Sequence, residues 1–171
     1  MSRLATAVPV RAAERADASA IAAVYNQGVA ERAATFETDA VTGADVAAWL
    51  GDERQPVLVA ERDGRVAGWA RVIRSGERCA FAGVGEYTIY IDRAARGRGV
   101  GRRLLDALVT AAEAAGYWKL QGRLFTTNEA SIALARRCGF REVGVYERHG
   151  RLDGAWRDLL IVERLLPEAG A

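Results

Sequence analysis

The stretch Arg96-Gly97-Arg98-Gly99-Val100-Gly101 joins a strand-like segment, Glu86 to Ile91, to a helix-like segment, Gly101 to Ala115. Glycines at a strand-to-helix junction let backbone N–H groups turn toward one point, where a helix N-terminus adds the positive end of its dipole. Four arginines between positions 96 and 103 add cationic charge around the same place. The stretch therefore predicts a cradle for a pyrophosphate, and with it a phosphate-bearing cofactor.

Two familiar phosphate loops do not fit this stretch. A nucleotide-hydrolysis loop ends in Gly-Lys-Ser/Thr, which is absent here. A dinucleotide fingerprint reads G-x-G-x-x-G within an early β-α-β unit, whereas Gly97, Gly99 and Gly101 give G-x-G-x-G after several strands. A plain helix start that tolerates glycines is the remaining alternative.

Composition places the chain among ordinary globular proteins. Its 171 residues are 50% hydrophobic and 27% charged, which fits a single domain spanning residues 1–171. The net charge of +2 gives little support for a nucleic-acid partner. Cys79, Cys138 and His149 have neither metal-ligand spacing nor a disulfide framework, so no metal is expected. No apolar run is long enough for a membrane span, and Met1 to Val8 lacks signal-peptide order, so we expect a cytoplasmic protein.

Hydrophobic periodicity predicts the element order β-α-α-β-β-β-α-β-α-β-β. Antiparallel hairpins come early, with Asp63-Gly64 as one turn, and two β-α crossovers follow. This order predicts a mixed α/β fold, α+β-like in character, with a single mixed central sheet flanked by helices. The less regular segments are predicted as an extended piece at Ala34–Glu37, a second helix at Thr42–Leu50, a strand at Phe140–Tyr146 and a turn-rich segment at His149–Ala155.

Several motifs together resemble the GNAT superfamily of acyl-CoA N-acyltransferases. Arg96-x-x-Gly99-x-Gly101 is similar to its motif A, Q/R-x-x-G-x-G/A. Asn128-Glu129-Ala130-Ser131 and the stretch Gly139 to Gly144 are similar to its pantetheine-side helix and following strand. The resemblance covers nearly the whole chain, and it implies a GNAT fold with acetyl-CoA as co-substrate.

Within that superfamily the chain resembles the phosphinothricin N-acetyltransferase branch. The resemblance is carried by Tyr25-Asn26, Thr35-Phe36-Glu37, Glu86-x-x-Ile89-Tyr90-Ile91 and Gly154-x-Trp156-x-Asp158. Val29 to Thr38, with Arg148 to Gly154, looks closest to the arsinothricin-resistance subgroup. The branch acetylates the α-amine of glutamate-like amino acids (phosphinothricin, methionine sulfoximine, arsinothricin). The resemblance thus implies a detoxifying enzyme with a small amino-acid substrate, and a homodimer.

The resemblance also implies roles for individual residues. Glu86 is the candidate general base for the amine, and a backbone N–H near Tyr90 or Ile91 is the candidate oxyanion donor. Many relatives place a proton donor for the leaving thiolate at the position of Ala135, where alanine cannot serve. The candidate cofactor-binding residues are Ile89, Tyr90, Ile91, Arg96, Gly97, Arg98, Gly99, Val100, Gly101, Arg102, Asn128 and Ser131. The candidate substrate-binding residues are Phe36, Glu37, Arg71, Arg74 and Arg78, because arginine suits a substrate with two anionic groups.

Two other functions remain open at this point. One is an N-acetyltransferase for a different amine, such as a polyamine, an aminoglycoside or a protein N-terminus. The other is a non-catalytic acyl-CoA sensor, which Ala135 keeps possible. We expect His149 to be non-catalytic.

Overall fold

The structure is a computed structural model that describes residues 8–167. Four α-helices and seven β-strands follow one another in the order predicted from the sequence. Their bounds are β1 Val10–Ala12, α1 Ala18–Glu31, α2 Gly43–Ala47, β2 Val57–Arg62, β3 Arg65–Arg74, β4 Val84–Ile91, α3 Val100–Ala114, β5 Lys119–Phe125, α4 Glu129–Arg137, β6 Arg141–Leu152 and β7 Ala155–Leu165.

All seven strands form one mixed sheet in the order β1-β2-β3-β4-β5-β7-β6. Every neighbouring pair is antiparallel except β4 and β5, which run parallel. That parallel pair is short: only Val84–Glu86 of β4 and Lys119–Gln121 of β5 are matched. Both strands continue well beyond this region, so the sheet opens between them. We call this opening the β4–β5 gap.

The helices cover opposite faces of the sheet. One face carries α3 and α4, and its apolar cluster includes Leu104, Leu108 and Leu120, all fully buried. The other face carries α1 and α2 over Trp69 and Val59, which are equally inaccessible. We call these the α3 face and the α1 face. Because side chains alternate along a strand, Glu86 and Tyr90 of β4 lie on the α1 face, whereas Tyr87 packs with the α3 cluster.

The structure confirms the mixed fold and corrects several local predictions. Residues Ala34–Glu37 form bends and irregular loop instead of an extended piece, and the second helix, Gly43–Ala47, is shorter than Thr42–Leu50. The final hairpin is longer than predicted, because β6 continues through His149 to Leu152 with a register shift between Tyr146 and Gly150. Only Asp153-Gly154 remains as its turn. Most of Met1 to Val8, on which the expected lack of a signal peptide rests, lies outside the described residues.

Candidate active site

The β4–β5 gap leaves unmatched backbone in the middle of the sheet. Beyond Glu86, the side of β4 that faces β5 has no strand partner, and this stretch contains Ile89, Tyr90 and Ile91. The closed end of the gap is filled from the α3 face by Tyr87, since a Cβ placed on Gly122 of β5 would lie 2.5 Å from Tyr87 Cε1. The gap therefore leaves backbone N–H groups on this side of β4 without a strand partner, where an extended chain lying along β4 could accept from them.

The predicted phosphate cradle lies at the N-terminus of α3. Gly99 is the N-cap residue, at φ 80°, and no side chain caps the helix. A Cβ on Gly97 or Gly99 would meet nothing within 4 Å, so the space in front of these N–H groups is open. An uncapped helix start with open space before it suits a phosphate group. Behind it, a Cβ on Gly101 would lie 3.2 Å from Leu134 Cδ2, so α3 and α4 approach closely here.

The cradle arginines differ in how free they are. Arg96 donates to Glu31 of α1 at 2.9 Å and to the Ile91 carbonyl at 3.2 Å, so it braces the loop against α1. Arg102 lies 3.6 Å from Asp106, one helical turn further on. Arg98 is exposed and joins no ion pair within residues 8–167. Arg103 is likewise exposed and without an ion pair in that range, so Arg98 and Arg103 face the least competition for a phosphate oxygen.

The start of α4 is ordered by Asn128. Its Oδ1 accepts from the Ser131 N–H at 3.1 Å, which caps the helix, and its Nδ2 donates to the Ala33 carbonyl at 3.3 Å. Asn128 therefore ties α4 to the loop after α1. Further along the same helix Ala135 is completely buried. A proton donor for a leaving thiolate is thus absent at that position, as its residue type implied.

Glu86 makes a contact that the sequence did not indicate. Arg123 of β5 donates to Glu86 Oε2 through both Nε, at 2.9 Å, and Nη2. This hydrogen bond raises the pKa of the Arg123 guanidinium. Glu86 is 21% exposed at its side chain, and Oε1 accepts no hydrogen bond from the described residues. One carboxylate oxygen is therefore anchored and the other is free to meet an amine or a water.

Tyr90 stands in an aromatic group on the α1 face. Its ring is stacked on Trp69 at 5.3 Å and meets Tyr25 edge-on at 4.8 Å. Burial raises the pKa of the Tyr90 hydroxyl, and Thr35, Glu37 and Arg71 are close enough to modify it. The predicted residues Tyr90, Glu37 and Arg71 are thereby brought together on this face.

Arg71 is a half-buried cation that joins no ion pair within residues 8–167. Its guanidinium carbon lies 3.7 Å from the centre of the Trp49 ring, and its Nε is buried with no hydrogen-bond partner in that range. Burial, which penalises the charged form, lowers the pKa of this guanidinium. A half-buried guanidinium held by a ring is suited to a carboxylate that enters with the substrate.

The other predicted substrate residues divide into two groups. Phe36 covers the end of the gap, since its ring meets Phe125 edge-on at 4.9 Å and lies over Gly150. Arg74, one of the predicted anchors, belongs to the opposite face, where it acts on the pKa of Tyr117. Arg78 is exposed on the β3–β4 connection, where it precedes a short 3-10 turn. The structure therefore brings Arg71, Phe36 and Glu37 to one face and turns Arg74 to the opposite face, while the role of Arg78 stays a prediction.

Sequence reasoning missed two groups at this site, Arg123 and Trp49. Gln121 is the last residue of β5 that is matched to β4, and its partner is Glu86. Arg123 comes two residues later, so strand alternation places it on the same face as Gln121, and this was the one sequence signal for its contact with Glu86. Trp49 follows α2 and belongs to none of the motifs that the sequence offered. Among residues 8–167 no three side chains of the metal-ligating types converge on one point. Within the same range no helix has the length and apolarity needed to cross a membrane.

A cradle for pyrophosphate, a gap that exposes the backbone of β4 and a carboxylate beside that gap define an acyl-CoA-dependent N-acyltransferase. The model of the Acetyltransferase (GNAT) family matches residues 22–140. The chain belongs to this family, and it is an acetyl-CoA-dependent N-acetyltransferase.

Its relatives cover almost its full length. The L-methionine sulfoximine/L-methionine sulfone acetyltransferase of Salmonella typhimurium is 32% identical over 95% of this chain and 96% of its own. The phosphinothricin N-acetyltransferase of Alcaligenes faecalis is 34% identical over 94% of this chain and 83% of its own. Among solved structures, the phosphinothricin acetyltransferase of Sinorhizobium meliloti in complex with acetyl-CoA matches with a TM-score of 0.88 and 30% identity, covering 95% and 90% of the two chains.

Proposed function

We propose that this enzyme acetylates the α-amine of a free, glutamate-like amino acid such as phosphinothricin, methionine sulfoximine or arsinothricin, and so detoxifies it. The observation that carries the proposal is Arg71, a half-buried arginine with a buried, unpartnered Nε and no ion pair within residues 8–167, on the face where the amine must approach. A free amino acid brings a carboxylate two bonds from its amine, whereas a polyamine brings none. Arg71 therefore favours an amino acid over the other amines.

Two regions of the chain hold acetyl-CoA in this proposal. The open N-terminus of α3, with Gly97, Gly99 and Arg98, would bind the pyrophosphate. The unmatched edge of β4 from Ile89 to Ile91 would bind the pantetheine arm. Of the two expected oxyanion donors, the Ile91 N–H would face the thioester oxygen, because the register with β3 turns the Tyr90 N–H toward Trp69. The other predicted cofactor-binding residues shape these two regions. Arg96, Val100, Gly101 and Arg102 form the rest of the cradle, and Asn128 and Ser131 form the start of α4.

Glu86 is the general base in this proposal. An amino acid at neutral pH carries an ammonium group, which must lose a proton before nitrogen can attack a carbonyl. Glu86 Oε1 accepts that proton, directly or through water, while Oε2 stays bound to Arg123. Acetyl-CoA supplies the thioester, whose C–S bond breaks as the new C–N bond forms. The thiolate leaves without a side-chain acid at Ala135. It receives, through water, the second proton that the attacking nitrogen loses as it becomes an amide.

We further propose a cytoplasmic homodimer in which residues 1–171 form one domain. The β6–β7 hairpin supports the dimer, because β6 is a long edge strand with almost no buried side chain. Several large apolar residues are exposed on it, including Val143, Val145, Tyr146 and Trp156. An exposed apolar edge strand is suited to pairing with a second copy.

Release of CoA thiol from acetyl-CoA tests the substrate class directly. We expect turnover with L-phosphinothricin and L-methionine sulfone and none with putrescine. Turnover with putrescine alone would refute the proposed class, and acetyl-CoA binding without turnover on any amine would indicate a sensor.

A matched pair of variants tests the anchor. Arg71→Met should raise the KM for every amino-acid substrate by about 10- to 100-fold, the loss expected when a charged hydrogen bond disappears. Arg74→Met, three residues away on the opposite face, should leave these KM values as they are. Equal effects of the two substitutions would contradict the role of Arg71.

A further inference from the structure

Three buried side-chain nitrogen atoms lack a hydrogen-bond partner within residues 8–167: Trp69 Nε1, Arg71 Nε and Arg157 Nε. All three belong to the α1 face of the sheet. Trp69 packs with α1 there, and Arg71 stacks on Trp49. Arg157 alternates along β7 with Leu159 and Ile161, which pack with Phe125 and Phe36 on the same side. The face where the substrate amine approaches thus holds two half-buried arginines whose Nε atoms are buried and which join no ion pair within residues 8–167.

The surroundings of Arg157 offer it no carboxylate. It is matched across the hairpin with Gly150, which has no side chain and is covered by the Phe36 ring. The nearby acids are already occupied: Asp153 pairs with Arg32 at 3.2 Å, and Asp158 accepts the Arg148 N–H at 2.7 Å. No ion pair joins Arg157 to any carboxylate within the described range. An unpaired, partly buried cation is costly unless a ligand compensates it.

Arg71 and Arg157 flank the β4–β5 gap from opposite sides. Arg71 lies on β3, one strand beyond β4, and Arg157 lies on β7, one strand beyond β5. The Thr126 N–H donates to the Asp158 carbonyl, which holds the start of β7 beside the end of β5. Three strand spacings separate β3 from β7, about 14 Å where strands are paired and more across the gap. Along the strands, Arg157 lies four residues, about 13 Å, beyond Ile161, which is level with Arg71. Two extended arginine side chains with an amino acid between them can span such a separation on the α1 face.

We propose that Arg157 binds an oxyanion at the far end of the substrate side chain, so that the enzyme selects amino acids with an anionic side chain. This inference rests on the proposed function, in which Arg71 takes the α-carboxylate. A phosphinate, arsinate or carboxylate side chain then satisfies the second guanidinium. A neutral side chain of the same shape leaves Arg157 unpaired and binds more weakly.

Two nearly isosteric substrates separate charge from shape. L-phosphinothricin ends in a methyl group and a phosphinate, and L-methionine sulfone ends in a methyl group and a neutral sulfone. The wild-type enzyme should show the higher kcat/KM with phosphinothricin. In Arg157→Met the ratio of the two kcat/KM values should fall about 10- to 100-fold, the loss expected of a charged hydrogen bond, with the change carried by KM for phosphinothricin. Arg157→Lys should restore part of that ratio.

The controls distinguish this inference from the proposed function. Arg71→Met should lower kcat/KM for both substrates and leave their ratio near the wild-type value. Arg151→Met removes a cation that is stacked on Trp156 on the opposite face of the hairpin. It should leave kcat/KM unchanged for both substrates. An unchanged ratio in Arg157→Met, or a wild-type preference for the sulfone, overturns the role of Arg157 and leaves the proposed function standing. A wild-type enzyme that acetylates neither amino acid overturns both.

Discussion

Replacing Gly99 with alanine tests the phosphate cradle, because its effect on the stability of the fold and its effect on acetyl-CoA binding can be measured separately. Gly99 adopts φ 80°, and a Cβ there would meet no atom within 4 Å. The substitution therefore creates backbone strain of about 1–2 kcal/mol without any clash. In a domain of this size each kcal/mol lowers Tm by about 2–4 °C, so a fall of about 2–8 °C is expected.

The binding effect should be separate from that strain. The new methyl group would point into the open space before the α3 N-terminus, where it would hold a phosphate away from the N–H groups. Loss of one charge-assisted hydrogen bond costs about 1.5–3 kcal/mol, which corresponds to a roughly 10- to 150-fold weaker Kd for acetyl-CoA. Isothermal titration calorimetry with acetyl-CoA measures this Kd directly.

Gly64 supplies the matched control. It stands in the β2–β3 turn at φ 72°, outside α3 and the loop before it, and a Cβ there would likewise meet nothing within 4 Å. Gly64→Ala should lower Tm by a similar amount and leave the Kd unchanged. If both variants bind acetyl-CoA equally well, the α3 N-terminus does not hold the pyrophosphate.

Three further outcomes follow from individual contacts. Burial raises the pKa of the Cys138 thiol to about 12, whereas Cys79 is exposed. A thiol reagent at pH 8 should therefore modify one cysteine in the native protein and none in Cys79→Ser. Two reactive thiols in the native protein would contradict the packing around Cys138. The hydrogen bond from Arg11 holds the pKa of Asp17 below its usual value, so the pair stabilises the fold above about pH 4 and less below it. The loss of unfolding free energy in Asp17→Asn, measured in urea, should accordingly be larger at pH 7 than at pH 3, and a pH-independent loss would argue against the pair. Arg123→Gln should lower kcat by about 2- to 5-fold, the effect expected from loss of a partly exposed ion pair. Arg136→Gln removes another exposed ion pair, between Arg136 of α4 and Glu142 of β6, and should leave kcat unchanged.

The cradle and the order of elements could be predicted because both depend on local sequence. Glycines at a strand-to-helix junction and the switch from alternating to helical periodicity are read within a few residues. The same holds for Ala135, whose chemistry follows from its residue type. The substrate side of the site could not be predicted in this way.

The contacts that define the substrate side join distant parts of the chain. Glu86 and Arg123 are 37 positions apart, and they meet because parallel pairing of β4 and β5 places them across the gap. Arg71 and Trp49 meet through the packing of the α2 region on β3. Arg74 resembled Arg71 in the sequence, yet strand alternation with an odd offset sends the two to opposite faces.

The β4–β5 gap also divides the sheet mechanically. Strands β1 to β4 form one ribbon and strands β5 to β7 another, and three matched residue pairs of β4 and β5 join the two ribbons. The ion pair between Glu86 and Arg123 crosses the gap immediately beyond those three pairs. The proposed proton acceptor thus also sets the spacing between the two ribbons. A substitution of Glu86 or Arg123 therefore alters both the charge at the reaction site and the width of the β4–β5 gap, which must receive the acetyl group.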